Sequence, residues 1–163
     1  METLQEKNVQ WLTVEEQRAW RNVIDGVNVL LEGLNQDLEA IAELNLHEYE
    51  TLVRLSEAPK HTLRMSELAR ELAHSRSRIT HTVRRLEKRG YVTRVSCLRD
   101  GRGINCMLND AGFEKLAASA PGHVASVRSR LLNVIKESEL KALGMAFEKV
   151  IRANSRTNNQ GKS

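Results

Sequence analysis

Apolar residues recur at intervals of three and four through the first part of the chain. Residues with this spacing share one face of a helix, because a helical turn contains 3.6 residues. The positions are Trp20, Val23, Ile24, Val27, Leu30, Leu31, Leu34, Leu38 and Ile41. Thr13 and Glu16 have the spacing of a capping box. The pattern therefore predicts one long amphipathic helix from Val14 to about Glu43.

Two shorter helices are predicted next. Asn45 and Glu48 form a second capping pattern, and the helix that they open must stop before Pro59. After a polar loop, a short helix carries Leu68 and Leu72 and ends near residues 73–74.

A basic helix follows, with Ser75 as its N-cap and Gly90 just after its last turn. Ile79, Val83 and Leu86 share its inner face. Two short helices joined by about three residues, the second of them basic on its open face, are typical of a helix-turn-helix.

A β-hairpin is predicted after this basic helix. Residues 91–95 and 104–108 favour strands, and the glycine-containing segment 99–103 favours a turn. Arg99 and Arg102 would then lie at the tip of the hairpin.

The last part of the chain is again helical in pattern. One helix begins at Asp110, and Pro121 is expected to kink it or to start a new segment. Ser138 is expected to cap a final helix. The polar residues 154–163 are expected to form a flexible tail.

Composition excludes several classes of protein. No stretch of the sequence approaches the length of a membrane span, and residues 1–10 lack the apolar run of a signal peptide, so we expect a cytoplasmic protein without membrane contact. Cys97 and Cys106 lack the spacing of a zinc site. No catalytic triad, phosphate-binding loop or metal cluster is visible, so we expect no enzyme activity, no cofactor and no metal.

Positive charge is concentrated in one segment. Residues 64–102 contain eleven Lys and Arg against four Asp and Glu, a net charge of +7, whereas the whole chain carries +4. A basic block between acidic flanks indicates a phosphate-rich partner for that block.

The chain resembles the MarR (multiple-antibiotic-resistance regulator) family of winged helix-turn-helix transcriptional regulators over about residues 11–151. The likeness rests on the segments 65–72 (MSELAREL), 86–92 (LEKRGYV) and 99–103 (RDGRG). It implies a mainly α fold of about six helices with a small β-hairpin wing. It also implies an obligate dimer and ligand-controlled repression.

The resemblance divides the chain into functional regions. Residues 14–44 and 110–153 would form a helical dimerisation region, and residues 45–109 a winged helix-turn-helix lobe that binds DNA. The function expected is that of a homodimeric regulator, a ligand-responsive repressor on a pseudo-palindromic operator. Two alternatives are a winged-helix module that binds proteins instead of DNA and a thiol-based redox sensor.

The DNA-binding residues are expected on the outer face of the basic helix and at the wing. The amino-terminal half of such a helix enters the major groove, while Arg85 and Lys88 would contact the DNA backbone. Arg102 would enter the minor groove, with Asp100 holding the turn. The full set is Ser75, Arg76, Ser77, Arg78, Thr80, His81, Arg84, Arg85, Lys88, Arg99, Asp100 and Arg102.

Two ways of sensing a signal are also considered, an effector pocket and a redox-active cysteine. The family comparison suggests a pocket for a small aromatic or amphipathic effector, lined by Trp20, His47 and Tyr49. The alternative redox sensor would use Cys97 or Cys106, since the neighbouring arginines Arg94 and Arg99 would favour a thiolate.

Overall fold

The computed structural model describes residues 9–96 and 103–160, with residues 155–160 as backbone only. Six α-helices and three strands make up this part of the chain. In order they are α1 (Val14–Ala42), α2 (Leu46–Glu57), β1 (Thr62–Arg64), α3 (Met65–Glu71), α4 (Arg76–Lys88), β2 (Val92–Ser96), β3 (Ile104–Leu108), α5 (Asp110–Val127) and α6 (Glu137–Gln160).

The predicted helix starts are confirmed in the first half of the chain. The Thr13 amide donates to Glu16 Oε2 at 2.7 Å, which completes the capping box of α1. Asn45 and Glu48 form the second box at α2. The Ser75 hydroxyl accepts from the Arg78 amide at 3.2 Å at the start of α4. Satisfying these amides fixes where each helix begins.

The sheet has three antiparallel strands in the order β1-β3-β2. The predicted hairpin strands pair in register, with Val92 opposite Leu108 and Ser96 opposite Ile104. The strand β1 lies where the sequence predicts only a polar loop. Three residues are too few to display an alternating pattern, and β1 owes its extended form to pairing with β3, where Leu63 lies opposite Cys106.

The hydrophobic core lies under α4, in the part of the chain from α2 to β3, which we call the central lobe. The inner face of α4 is fully buried as predicted, with Ile79, Val83 and Leu86 all without solvent exposure. These side chains belong to one buried cluster with Leu38 of α1 and Leu52 of α2. The second half of α1 and the sheet therefore hold α4 in a fixed position.

Pro121 does not divide α5. The helix continues through it to Val127, and the chain leaves α geometry only at a π-helical turn, Arg128–Leu132. A proline removes a single amide donor, and its neighbours keep theirs, so packing of α5 on α1 and α2 can keep the helix continuous.

The expected start and end of the last helix also need correction. The helix begins at Glu137, so Ser138 lies inside it. The Glu139 carboxylate instead accepts from the Lys136 amide at 2.7 Å and so caps the start of the helix. At the other end, the predicted tail is helical through Gln160.

An ion pair joins α1 to the π-helical turn. Arg130 donates to both carboxylate oxygens of Asp37, at 2.6 and 2.7 Å, and the Ser126 hydroxyl donates to the same carboxylate. Gly33 leaves room for this arrangement, since a Cβ there would lie 2.2 Å from an Arg130 guanidinium nitrogen. The arginine hydrogen bonds hold the pKa of Asp37 well below its ordinary value of 3.8.

The two ends of the described chain bury little. None of residues 9–32 and none of residues 137–154 is buried. Large apolar side chains lie in the open on both segments, among them Trp20 at 57% exposure and Ile151 at 62%. Within residues 9–96 and 103–160, no helix combines the length and the apolar character that a membrane span requires.

Candidate nucleic-acid interface

The outer face of α4 carries the predicted DNA-binding residues in the open. Among the predicted residues on this helix and at its cap, all are exposed except Thr80, which is half-buried. The Thr80 hydroxyl donates to the Arg76 carbonyl at 2.8 Å, so its oxygen can still accept one further bond. Polar side chains along the rest of this face point away from the core.

Most cations on this face have no counter-charge. Among the described residues, Arg76, Arg78, Arg84 and Lys88 form no salt bridge, whereas Arg85 does. Four exposed and unneutralised cations on one short helix make a surface that attracts anions.

Arg85 bridges two helices. Its Nε lies 2.9 Å from Oε1 of Glu48, a residue of α2 with no solvent exposure, while the Arg85 side chain itself is 64% exposed. The Oε1 atom has no partner in hydrogen-bond geometry among the described residues, so this contact is ionic. The other oxygen accepts from the Asn45 amide at 3.0 Å. Glu48 thus links the N-terminus of α2 to α4.

The carboxyl end of α4 is tied to the sheet. Glu87 accepts from the Arg94 amide at 3.1 Å and from Arg94 Nε at 2.9 Å. These bonds lower the pKa of Glu87 and raise that of Arg94. Since Arg94 belongs to β2, the pair fixes the angle between α4 and the strand that leads into the wing.

The predicted wing residues lie outside the described residues. They are Arg99, Asp100 and Arg102, and their assignment as DNA contacts remains a prediction from sequence. Cys97, the other cysteine of the redox hypothesis, also lies outside the described residues.

Cys106 does not match the redox hypothesis. It is fully buried in β3, and burial raises the pKa of its thiol to about 12. The thiol is therefore protonated at neutral pH, and a protonated thiol is a poor nucleophile. Sequence analysis expected Arg94 to favour the thiolate, but Arg94 is paired with Glu87, whose negative charge raises the same pKa.

A cavity lies beside α2, between the lobe and the long helices. It has a volume of about 250 Å³ and is lined by Leu31, Leu34, Leu46, Tyr49, Glu50, Val53, Arg54, Leu72 and His123. Tyr49 is thus the one predicted pocket residue that lines it. Trp20 and His47 are not among the lining residues, and Trp20 lies far along the open half of α1.

His123 is a polar lining residue that was not predicted from the sequence. Its ring packs against Tyr49 with centroids 4.4 Å apart. Burial lowers the pKa of His123 and raises that of Tyr49, so both side chains are neutral at pH 7. A lone histidine in α5 gives no sequence signal of this pairing, which depends on how α5 packs on α2.

Comparison with known proteins identifies the family. A model of the MarR family matches residues 43–103. Sco3205 of Streptomyces coelicolor, a MarR family transcriptional regulator solved in complex with DNA, is 39% identical, with 90% of this chain and 92% of that chain covered and a TM-score of 0.85. The chain belongs to the MarR family.

Two further relatives agree with this assignment. The MarR family regulator AbsC of Streptomyces coelicolor is 35% identical, with 89% of this chain and 97% of that chain covered and a TM-score of 0.81. The transcriptional repressor MprA of Escherichia coli K12 is 33% identical over 92 residues, which are 56% of this chain. That match spans about half of MprA, 52% of its length. The MarR winged-helix fold expected from sequence is confirmed.

Proposed function

We propose that this MarR family chain binds double-stranded DNA through α4 and represses transcription in the cytoplasm. The observation that carries the proposal is the row of exposed cations and hydrogen-bonding side chains on α4, opposite a fully buried apolar face. A helix held by its own core can present the same side chains repeatedly to a groove. Sco3205, a relative with the same fold, was solved in complex with DNA.

The residues of α4 fall into two roles. We assign base-edge contacts to His81 and Arg84, which are exposed on a helix fixed by Ile79 and Val83. Lys88 and the first-turn arginines would contact phosphates. Arg85 already pairs with Glu48, so its share of DNA binding is expected to be smaller than that of Arg84.

The operator-bound form is expected to be a homodimer. The apolar side chains on the first half of α1 and on α6 are unburied within one chain. A second copy would cover them, since large open apolar patches are unusual on monomers. Two-fold symmetry then requires a pseudo-palindromic operator with half-sites about 10 base pairs apart or a multiple of that.

We further propose that the regulator responds to a ligand, and the cavity beside α2 supports this proposal. Its walls are mainly apolar, and Tyr49, Glu50, Arg54 and His123 add polar groups. Such a lining suits a small aromatic or amphipathic molecule. We expect benzoate to weaken operator binding by the wild type and not by Val53→Phe, which fills the cavity.

A paired titration tests DNA reading. Cognate and scrambled duplexes are titrated with wild type, His81→Ala and Arg102→Ala, with Arg128→Ala on the π-helical turn as a matched loss of an exposed charge away from α4 and from the cavity. We expect His81→Ala to lose about 1–3 kcal/mol on the cognate duplex and much less on the scrambled one. Arg102→Ala should weaken both duplexes and flatten the salt dependence. Equal losses on both duplexes for both variants would refute the division between helix and wing.

A further inference from the structure

Three metal-binding side chains meet where α2 approaches the turn between α3 and α4. His47 and Glu50 lie on α2, and His74 lies in the turn. One potential ligand atom from each lies within 4.8 Å of the other two. The rings of His47 and His74 are perpendicular, with centroids 4.5 Å apart. The turn before α4 thus brings His74 close to two side chains of α2.

One ring nitrogen of each histidine is left without a hydrogen-bond partner by the described residues. Nδ1 of His47 and Nδ1 of His74 are both shielded from solvent, and neither has a hydrogen-bond partner among the described residues. Glu50 Oε2 lies 3.9 Å from His47 Nδ1, which is too far for a hydrogen bond. Shielded polar atoms normally find a partner, so two such nitrogens beside a carboxylate require an explanation.

We propose that His47, Glu50 and His74 bind one divalent transition-metal ion, with zinc as the best match. Two imidazole nitrogens and one carboxylate oxygen are a donor set that zinc uses, with a fourth position left open to water. Bonds of about 2.0–2.2 Å require the three groups to draw closer around the ion. The side chains of His47 and Glu50 are 43% and 40% exposed, so they have room to rotate and leave a path for the ion.

The bound ion would connect α2 to the start of α4. His74 directly precedes Ser75, the N-cap of α4. The preceding residue, Ala73, has a φ of 51°, in the left-handed region that costs free energy for any residue with a Cβ. An ion held from α2 would fix this turn and so stabilise the folded lobe.

The test is a zinc titration of metal-free protein against a chromophoric chelator. We expect one zinc ion per chain, and at least about tenfold weaker binding in both His47→Gln and His74→Gln. His61→Gln is the matched control, because His61 is exposed and its Nδ1 already lies 2.9 Å from the Ser56 carbonyl oxygen. This control should bind zinc like the wild type.

Thermal unfolding gives a second measurement on the same proteins. Zinc should raise the Tm of the wild type and of His61→Gln but leave that of His74→Gln unchanged. Circular dichroism of each metal-free variant establishes that it is folded before titration. Cobalt supplies a third readout, since the visible absorption of a tetrahedral site should appear in the wild type and be lost in Glu50→Ala.

Two results would overturn the proposal. One is a wild-type protein that binds no zinc at micromolar concentration. The other is zinc binding of equal strength in the wild type, His47→Gln and His74→Gln, which would assign the ion to other residues. Neither result would affect DNA binding by α4, which is measured separately.

Discussion

The central lobe and the terminal helices use their apolar residues in opposite ways. The lobe encloses its own, and Leu52, Ile79 and Val83 have no solvent exposure. The first half of α1 and the described side chains of α6 enclose none, although their apolar positions recur with the same helical spacing. Equal amphipathicity therefore gives a closed core in one region and an open surface in the other. The difference supports the proposal that a second copy of the chain covers the terminal helices.

Truncating a core side chain should have the largest effect. We expect Leu52→Ala to lower the free energy of unfolding by about 2–5 kcal/mol, because it leaves a cavity in a closed core. Urea unfolding of Leu52→Ala measures this loss, with Ile151→Ala on α6 as the comparison. The Ile151→Ala loss should depend on protein concentration, as linkage to assembly requires, and the Leu52→Ala loss should not. Concentration-independent losses of equal size would remove the contrast between the two regions.

Two neighbouring arginines of α4 should differ in their effect on stability. Arg85→Ala leaves the buried Glu48 carboxylate without its nearest cation, and we expect a loss of about 1–2 kcal/mol. Arg84→Ala removes an exposed charge and should change stability by less than about 0.5 kcal/mol. Arg84→Ala should instead weaken DNA binding more than Arg85→Ala does. Equal unfolding midpoints for the two variants would show that the Arg85 contact contributes nothing to stability.

The ion pair between Asp37 and Arg130 should have the smallest effect on stability. Its contribution to stability should also depend on pH. The folded-state pKa of Asp37 is depressed, so its contribution to stability is present above the ordinary pKa of 3.8 and is lost as the pH falls through the lower folded value. Asp37→Asn should therefore have a lower Tm than the wild type at pH 7, and the gap should narrow below about pH 4. A gap that stays constant over that range would mean that the carboxylate charge is not responsible.

Local rules predicted much of the central lobe from sequence. Capping residues such as Asn45 and Ser75 determine where helices begin through bonds to amides two or three residues away, so the signal is contained in a few letters. The inner face of α4 followed from spacing alone. The exposed face of the same helix could then be predicted, because it consists of the positions opposite this apolar face.

Long-range contacts could not be predicted in the same way. The strand β1 depends on β3, the partner of Arg85 is on another helix, and His123 meets Tyr49 only after α5 packs on α2. The cluster of His47, Glu50 and His74 was missed for the same reason, since His74 is distant in sequence from the other two and only packing brings it next to α2. Each of these features depends on tertiary packing.

We propose that a second copy of the chain covers the terminal helices, so that two α4 helices face DNA together. Sedimentation equilibrium of the full chain at micromolar concentration measures whether this dimer forms. We expect a single species of about twice the chain mass of 18.5 kDa. We also expect dissociation when Ile151 and Val150, both exposed on α6, are changed to Asp. A stable monomer of the wild-type chain under these conditions would rule out the dimer.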